Sequence, residues 1–325
     1  MSGKNGIAVC GTLLVDKINE IAAYPAAGEL TKITGLKKAV GGCVPNVGID
    51  LKRMCPSLTV YAVGNVGNDD EGTYVKDVLS KNGLELSGLK TVCGEKTSFT
   101  EVMSVKGGQR TFFTFAGADG GFCADDLDVE EISPKILHLG YFLLLQKIDE
   151  GEGLKILKKA SEAGVQTSID LVSENSDRYD LVVPCLESVD YLIINEIEAG
   201  KLTKMEPEKK NLISIAKKLL QMGVRKKVII HMKDCAVCCS ESGVSVAGAV
   251  DIPRKEIKGT TGAGDAFCAG ALYAIYCGKS DSEILDFASC AAVMALRSAD
   301  ATSGLCSETE IIEYCKNIRR IEVCL

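Results

Sequence analysis

The sequence predicts an α/β fold of three layers, α/β/α, with a mostly parallel central sheet and a small second sheet beside it. Three observations carry this reading. Short β-rich runs alternate with helix-like stretches along most of the 325 residues, which is the pattern of βαβ units. The β-rich runs are continuously apolar, as strands buried on both faces must be. Two regions, about 12–40 and 97–116, break the alternation and supply material for the small sheet. No repeat, low-complexity tract or Pro/Ser linker divides the chain, so a single domain, 1–325, is expected.

In chain order, strands are expected at I-A-V-C-G (about 6–11), V-Y-A-V-G (60–64), I-L-H-L-G (136–140), T-S-I-D (167–170), Y-L-I-I-N (191–195) and V-I-I-H-M (228–232). Helical patterns lie near 46–55, 70–82, 150–163, 177–187 and 208–222, and residues 265–318 read as mostly helical. The stretch 97–116 places two β-rich runs around a K-G-G-Q turn, which predicts a hairpin. Ligands of open α/β sheets bind at the carboxyl ends of the strands, so the loops after these strands are where chemistry belongs.

Composition excludes several classes. The net charge of −7 disfavours nucleic acid, whose affinity comes mainly from phosphate neutralisation, and disfavours anionic membrane surfaces. No apolar run approaches the ~20 residues of a membrane span, and no h-region marks a signal peptide. Fifteen cysteines, an odd number scattered along the chain, fit free thiols in a reducing cytoplasm. Cys235, Cys238 and Cys239 form one tight cluster without the second pair that a zinc site needs, and read as small buried side chains. With only His138 and His231 present, histidine-dependent triads have few places to be.

The stretch Thr260-Thr261-Gly262-Ala263-Gly264-Asp265 runs into a segment that is apolar nearly all round, so the helix it opens is expected to be buried. Unpaired N–H groups in the first turn, the helix dipole and glycines that admit close approach make an anion site. Asp265 then stands beside a place suited to a phosphate. The two tolerate each other if a substrate hydroxyl lies between them: Asp265 takes its proton while backbone amides hold the transferring phosphoryl group. The alternative is a glycine turn with an aspartate favoured by the dipole. Two nucleotide motifs fail: Tyr273 stands where a P-loop ending at Gly278-Lys279-Ser280 needs glycine, and Phe267 where the dinucleotide fingerprint needs its third.

Three further segments carry candidate ligands. Asp16 closes Gly11-Thr-Leu-Leu-Val-Asp16 after the first strand. Gly41 and Gly42 lead into a helix bearing Asn46 near its start. Such Asp and Asn side chains can hydrogen-bond sugar hydroxyls, although each position also suits an ordinary turn, bulge or first helical turn. Asn195 and Glu198 follow a strand and share one helix face, so they could hold hydrated Mg²⁺. N-x-x-E is also close to a capping box, and both readings can hold together.

These four motifs, G-x-x-x-x-D at 11–16, G-G-x-x-x-N at 41–46, N-E-x-E at 195–198 and T-x-G-A-G-D-A-F at 260–267, occur in the order found in the PfkB carbohydrate kinases. The chain resembles that family, of ribokinase-like fold, over nearly its whole length, and a weaker G-G-Q-R…G-A pattern from Gly107 to Ala118 agrees. The resemblance implies ATP-dependent phosphorylation of a hydroxymethyl group on a sugar or nucleoside. It implies Asp265 as catalytic base, Gly262, Ala263 and Gly264 as anion-hole amides, and Asn195 and Glu198 in a Mg²⁺–phosphate network. Thr260 falls on the nucleotide side of the same motif. Asp16, Gly41, Gly42 and Asn46 fall at the substrate, and 12–40 with 97–116 become a lid that in some members also forms the dimer interface.

Two departures stand out. Gly259 occupies a position where the family usually has Asp, near its monovalent-cation site, which leaves K⁺ activation open. His231-Met232-Lys233 replaces the usual T-x-G, and Lys233 is a candidate for a donor phosphate. Arg110 on the hairpin is a candidate substrate contact, although Lys106 and Arg110 alone are a weak sign of a phosphosugar pocket. Asp170 and Arg178 follow another strand and either bound the substrate pocket or form a surface pair. With 5% aromatics and no Trp to stack a base, an unphosphorylated sugar is expected ahead of a nucleoside. A non-catalytic protein that senses sugar or nucleotide on the same fold is the alternative from another class.

Overall fold

The computed structural model describes residues 4–105 and 108–323. Its strands are β1 (Ile7–Cys10), β2 (Leu14–Ile21), β3 (Ile33–Gly41), β4 (Val60–Gly67), β5 (Leu89–Val92), β6 (Phe99–Val105), β7 (Arg110–Phe115), β8 (Ile136–Phe142), β9 (Gln166–Leu171), β10 (Tyr191–Asn195), β11 (Lys227–His231), β12 (Cys235–Ser240) and β13 (Gly243–Gly248). Its α-helices are α1 (Cys43–Met54), α2 (Asp70–Lys81), α3 (Val129–Ile132), α4 (Gly153–Glu162), α5 (Glu196–Thr203), α6 (Leu212–Gln221), α7 (Ala263–Tyr276), α8 (Asp281–Leu296) and α9 (Glu308–Cys315).

The large sheet has the order β13-β12-β11-β10-β9-β8-β1-β4-β5. From β5 to β11 every pairing is parallel, and β12 and β13 close the far edge antiparallel. Side chains alternate across a strand, and β1 shows the result: Ile7 and Val9 join the core on one face, Ala8 and Cys10 the core on the other. Helices α1, α7 and α8 cover the first face, α4 and α6 the second, which makes the three layers. The chain leaves β1 for β4 on one side and returns to β8 on the other, so β1 and β8 bracket a switch point of the kind where such sheets bind ligands.

The two interrupting regions build a second sheet, β3-β2-β6-β7, in which β2 and β6 pair in parallel between two antiparallel neighbours. Part of the K-G-G-Q turn, including Lys106 and Gly107, lies outside the described residues. Asp119 fastens this sheet to the large one: its buried carboxylate accepts the N–H of Leu13 at 2.7 Å.

Two expectations change. Residues 177–187 form two 3₁₀ segments, Arg178–Leu181 and Val183–Ser188, in place of an α-helix. Pro184 supplies no N–H to an α-helical ladder there. The hairpin β12–β13 was absent from the expected strands; Glu241-Ser242-Gly243 turns it, and Gly243 has φ 119°. Cys235, Cys238 and Cys239 all lie buried on β12, as small core side chains.

Candidate active site

Helix α7 is buried from Asp265 to Ile275, so its first turn is fixed relative to the sheet. Gly262 opens it with φ 80°, and a Cβ there would stand 2.4 Å from Ala301 O. Only glycine satisfies both the left-handed backbone and the close approach. No side chain caps this helix. Ala263 N–H turns back to Thr260 O at 3.4 Å, while Gly262, Gly264 and Asp265 N–H have no partner among the described residues. The open amides are therefore those of Gly262, Gly264 and Asp265: the two expected glycines keep theirs free, while Ala263 N–H is turned to Thr260 and Asp265 N–H takes its place.

The Asp265 carboxylate is buried among polar donors. Tyr141 O–H donates to it at 2.8 and 3.0 Å, and Asn46 Nδ2 donates at 3.1 Å. Burial, and then the charge of Asp170, push its carboxyl up to about 7; the Tyr141 and Asn46 hydrogen bonds pull the other way. A carboxylate offers about four acceptor positions, so one more hydroxyl can reach it.

Asn46 reaches this point because of how α1 begins. Gly42, at φ 99°, brings the helix start against Thr12, whose Oγ1 accepts Cys43 N–H at 2.9 Å and whose O accepts Val44 N–H at 3.2 Å. A Cβ on Gly41 would stand 2.5 Å from Asp16 Oδ2, so Gly41 leaves room for that carboxylate. Asp16 lies on β2 opposite Ala39 and Thr100, and burial raises its carboxyl.

Tyr141 was not legible as a site residue. It sits at the end of β8 with φ 57°, a left-handed backbone that a tyrosine adopts at a cost of about 1–3 kcal/mol. Its two polar groups hold it there: N–H donates to Asp170 Oδ1 and O–H to Asp265. Asp170 does not pair with Arg178, whose guanidinium instead takes Asp149 at 3.0 Å and Glu174 at 2.7 Å.

A cleft of about 400 Å³ opens at the carboxyl ends of β8 to β11, lined among others by Tyr141, Asp170, Asn195, Glu198, His231 and Asp265. Asn195 and Glu198 form a reciprocal capping box: Asn195 Oδ1 accepts Glu198 N–H at 2.9 Å and Glu198 Oε2 accepts Asn195 N–H at 3.0 Å. Ser173 Oγ–H and Asn195 Nδ2 each donate to Oε1 at 2.8 Å. These donors are neutral, and no lysine or arginine pairs with Glu198 among the described residues. Burial pushes Glu198 up to about 7. A buried carboxylate facing a cleft without a cationic partner fits a hard, hydrated dication such as Mg²⁺. His231 packs on Phe267 with ring centroids 4.6 Å apart, and burial lowers it to about 4, so it is a neutral wall of the cleft. Lys233 and Arg110 are exposed and are not among the lining residues; Thr260 is exposed at the mouth of the α7 turn.

The model of the pfkB family carbohydrate kinases matches residues 6–309. The chain belongs to this family. Membership makes it a sugar kinase, a phosphotransferase with an alcohol acceptor. It is 28% identical over 321 residues to a ribokinase of Arabidopsis thaliana, covering 95% of this chain and 81% of that one. It is 24% identical over 330 residues to fructokinase-1 of Zea mays, covering 96% and 98%. Among solved structures, Arabidopsis thaliana ribokinase complexed with ribose and ATP superposes with a TM-score of 0.81 at 24% identity, covering 96% and 99%. The ribokinase fold of these family members is thus shared along the chain. No helix among the described residues is long and apolar enough to cross a membrane.

Proposed function

We propose that this kinase transfers the γ-phosphoryl group of ATP to a hydroxymethyl group of a small unphosphorylated sugar, with Asp265 as general base. The observation that carries the proposal is the juxtaposition of a buried carboxylate at about 7 with open amides on the same helical turn. Asp265 accepts the hydroxyl proton as the alcohol attacks. Gly262, Gly264 and Asp265 N–H groups hold the charge of the phosphoryl group in flight, a role in which one donor is worth about 10²–10³-fold in rate. Tyr141 and Asn46 orient the carboxylate. Asp16, Asn46 and Asp170 are assigned to the sugar hydroxyls, with Gly41 and Gly42 leaving backbone room. Asn195 and Glu198 would hold Mg²⁺ through water, and that ion supplies charge neutralisation on the phosphates.

Arg110, Lys233 and Thr260 remain assigned to the rim, where substrate or nucleotide would meet them. The small sheet is assigned as a lid over the sugar, excluding water as a competing acceptor. Its outer strands expose Ile33 and Leu36 on β3 and Phe112, Phe113 and Phe115 on β7. Such apolar exposure on edge strands supports a homodimer through the lid. The abundance of thiols supports a reducing cytoplasm.

The test is Mg-ATP with a panel of sugars, nucleosides and sugar acids, reading ADP and the phosphorylated product. A small sugar is expected to turn over fastest. A nucleoside as best acceptor would replace the acceptor assignment, and binding without product from every compound would replace the reaction.

A further inference from the structure

Directly behind the proposed base lies a cluster of three side chains, of which the sugar kinase reading uses only Asp170. His138 on β8, Asp170 on β9 and Cys268 on α7 are all buried, and one ligand atom from each lies within 4.8 Å of the other two. His138 Nε2 is 3.5 Å from Asp170 Oδ2 and 3.5 Å from Cys268 Sγ. An N–H donor on a carboxylate normally closes to about 2.7–2.9 Å, so the nitrogen–oxygen spacing is too wide for a good hydrogen bond. It matches another geometry. Around a tetrahedral zinc ion, with bonds of about 2.0–2.3 Å to nitrogen, oxygen and sulfur, neighbouring ligands stand about 3.3–3.6 Å apart.

We propose that His138 Nε2, Asp170 Oδ2 and Cys268 Sγ form a site for one zinc-like divalent ion, open on its fourth side to the cleft beside Asp265. Three features argue for it. His138 Nδ1 lies 3.1 Å from the buried Ser168 Oγ. With a proton on Nδ1 donated to that oxygen, the Nε2 lone pair accepts the Cys268 S–H at 3.5 Å in the metal-free protein and turns to the ion once that thiol is deprotonated, the outer-shell arrangement usual for ligating histidines. One thiolate and one carboxylate neutralise a dication, so the loaded site carries no net buried charge. Asp170 and Cys268 line the cleft while His138 does not, which gives the ion an entry path and a fourth position facing substrate space. The mixed N/S/O set prefers zinc, cobalt or copper to magnesium, so it is chemically distinct from the oxygen-only site at Glu198. Binding releases the Cys268 thiol proton to solvent, and no other bond changes.

The experiment uses the full chain freed of metal by a chelator and titrated with Co²⁺. One equivalent is expected to produce the intense visible bands of four-coordinate cobalt with a thiolate charge-transfer band, and stoichiometric Zn²⁺ to abolish both. Cys268→Ser is expected to remove the charge-transfer band at one equivalent. Its persistence would assign the ion to another of the cysteines and overturn the proposal, as would only the weak bands of octahedral cobalt. X-ray absorption at the zinc edge of the wild-type protein needs no variant to fold. One sulfur at about 2.3 Å with nitrogen and oxygen at about 2.0 Å is expected. A shell without sulfur, or with two or more, refutes it. Neither readout depends on kinase activity.

Discussion

Replacing Asp265 by Asn should change the pH dependence of stability in a way set by the burial of this one carboxyl. An aspartate titrates from 3.8 in the unfolded chain and from about 7 here. The folded state therefore binds the proton more tightly. The stabilisation this gives is complete below pH 3.8 and is lost as pH rises through about 7. The full loss is about three pH units at about 1.4 kcal/mol each, on the order of 4 kcal/mol. Asn cannot titrate, so its altered hydrogen bonds to Tyr141 and Asn46 add an offset that is the same at every pH. Urea denaturation of chelator-treated wild type and variant at half-unit steps should show the variant gaining about 2–3 kcal/mol relative to wild type between pH 5 and 7. A difference that stays flat over that range would mean the carboxylate is already ionised at pH 5, and the reasoning from burial would be wrong.

Other perturbations follow from the same geometry. If Asp265 must be ionised to act, turnover should rise with pH through about 7; Asp170→Asn, by removing a negative charge, should move that limb to lower pH, and Tyr141→Phe, by removing a donor, to higher pH, each read from kcat/KM profiles. Limbs that stay in place in both variants would separate the profile from Asp265. Glu198→Gln keeps most of the capping box but cannot ionise, so the Mg²⁺ concentration for half-maximal rate should rise about tenfold, on the ~1.4 kcal/mol scale of one lost charge interaction; an unchanged requirement would place Mg²⁺ elsewhere. Lysine at both Leu36 and Phe113 should yield a monomer in sedimentation; a retained dimer would locate the interface off the small sheet.

Much of this molecule is readable from local pattern. Continuous apolar runs give the parallel strands because burial on both faces leaves no alternation to disguise them. Asp265, Asn46, Asn195 and Glu198 stand out as candidates because glycines and helix starts surround them, and those leave a mark in the sequence. Tyr141 left none: a tyrosine at a strand end looks like core, and its left-handed backbone depends on Asp170 and Asp265, which lie 29 and 124 residues away. The cluster of His138, Asp170 and Cys268 was hidden for the same reason, since β8, β9 and α7 meet only in the folded sheet. Of the two roles the sequence left open for Asp170 and Arg178, bounding the substrate pocket or pairing at the surface, the pair does not form: Arg178, on the 3₁₀ turn Arg178–Leu181, takes Asp149 and Glu174 instead.

The most direct test of the account mixes enzyme, Mg-ATP and the best acceptor from the panel in a single turnover, for wild type and Asp265→Asn side by side. Both proteins should bind nucleotide and sugar with similar affinity, while phosphoryl transfer in the variant falls by about 10²–10⁴-fold. A variant that transfers the phosphoryl group at the wild-type rate would contradict the assignment of Asp265 as the base.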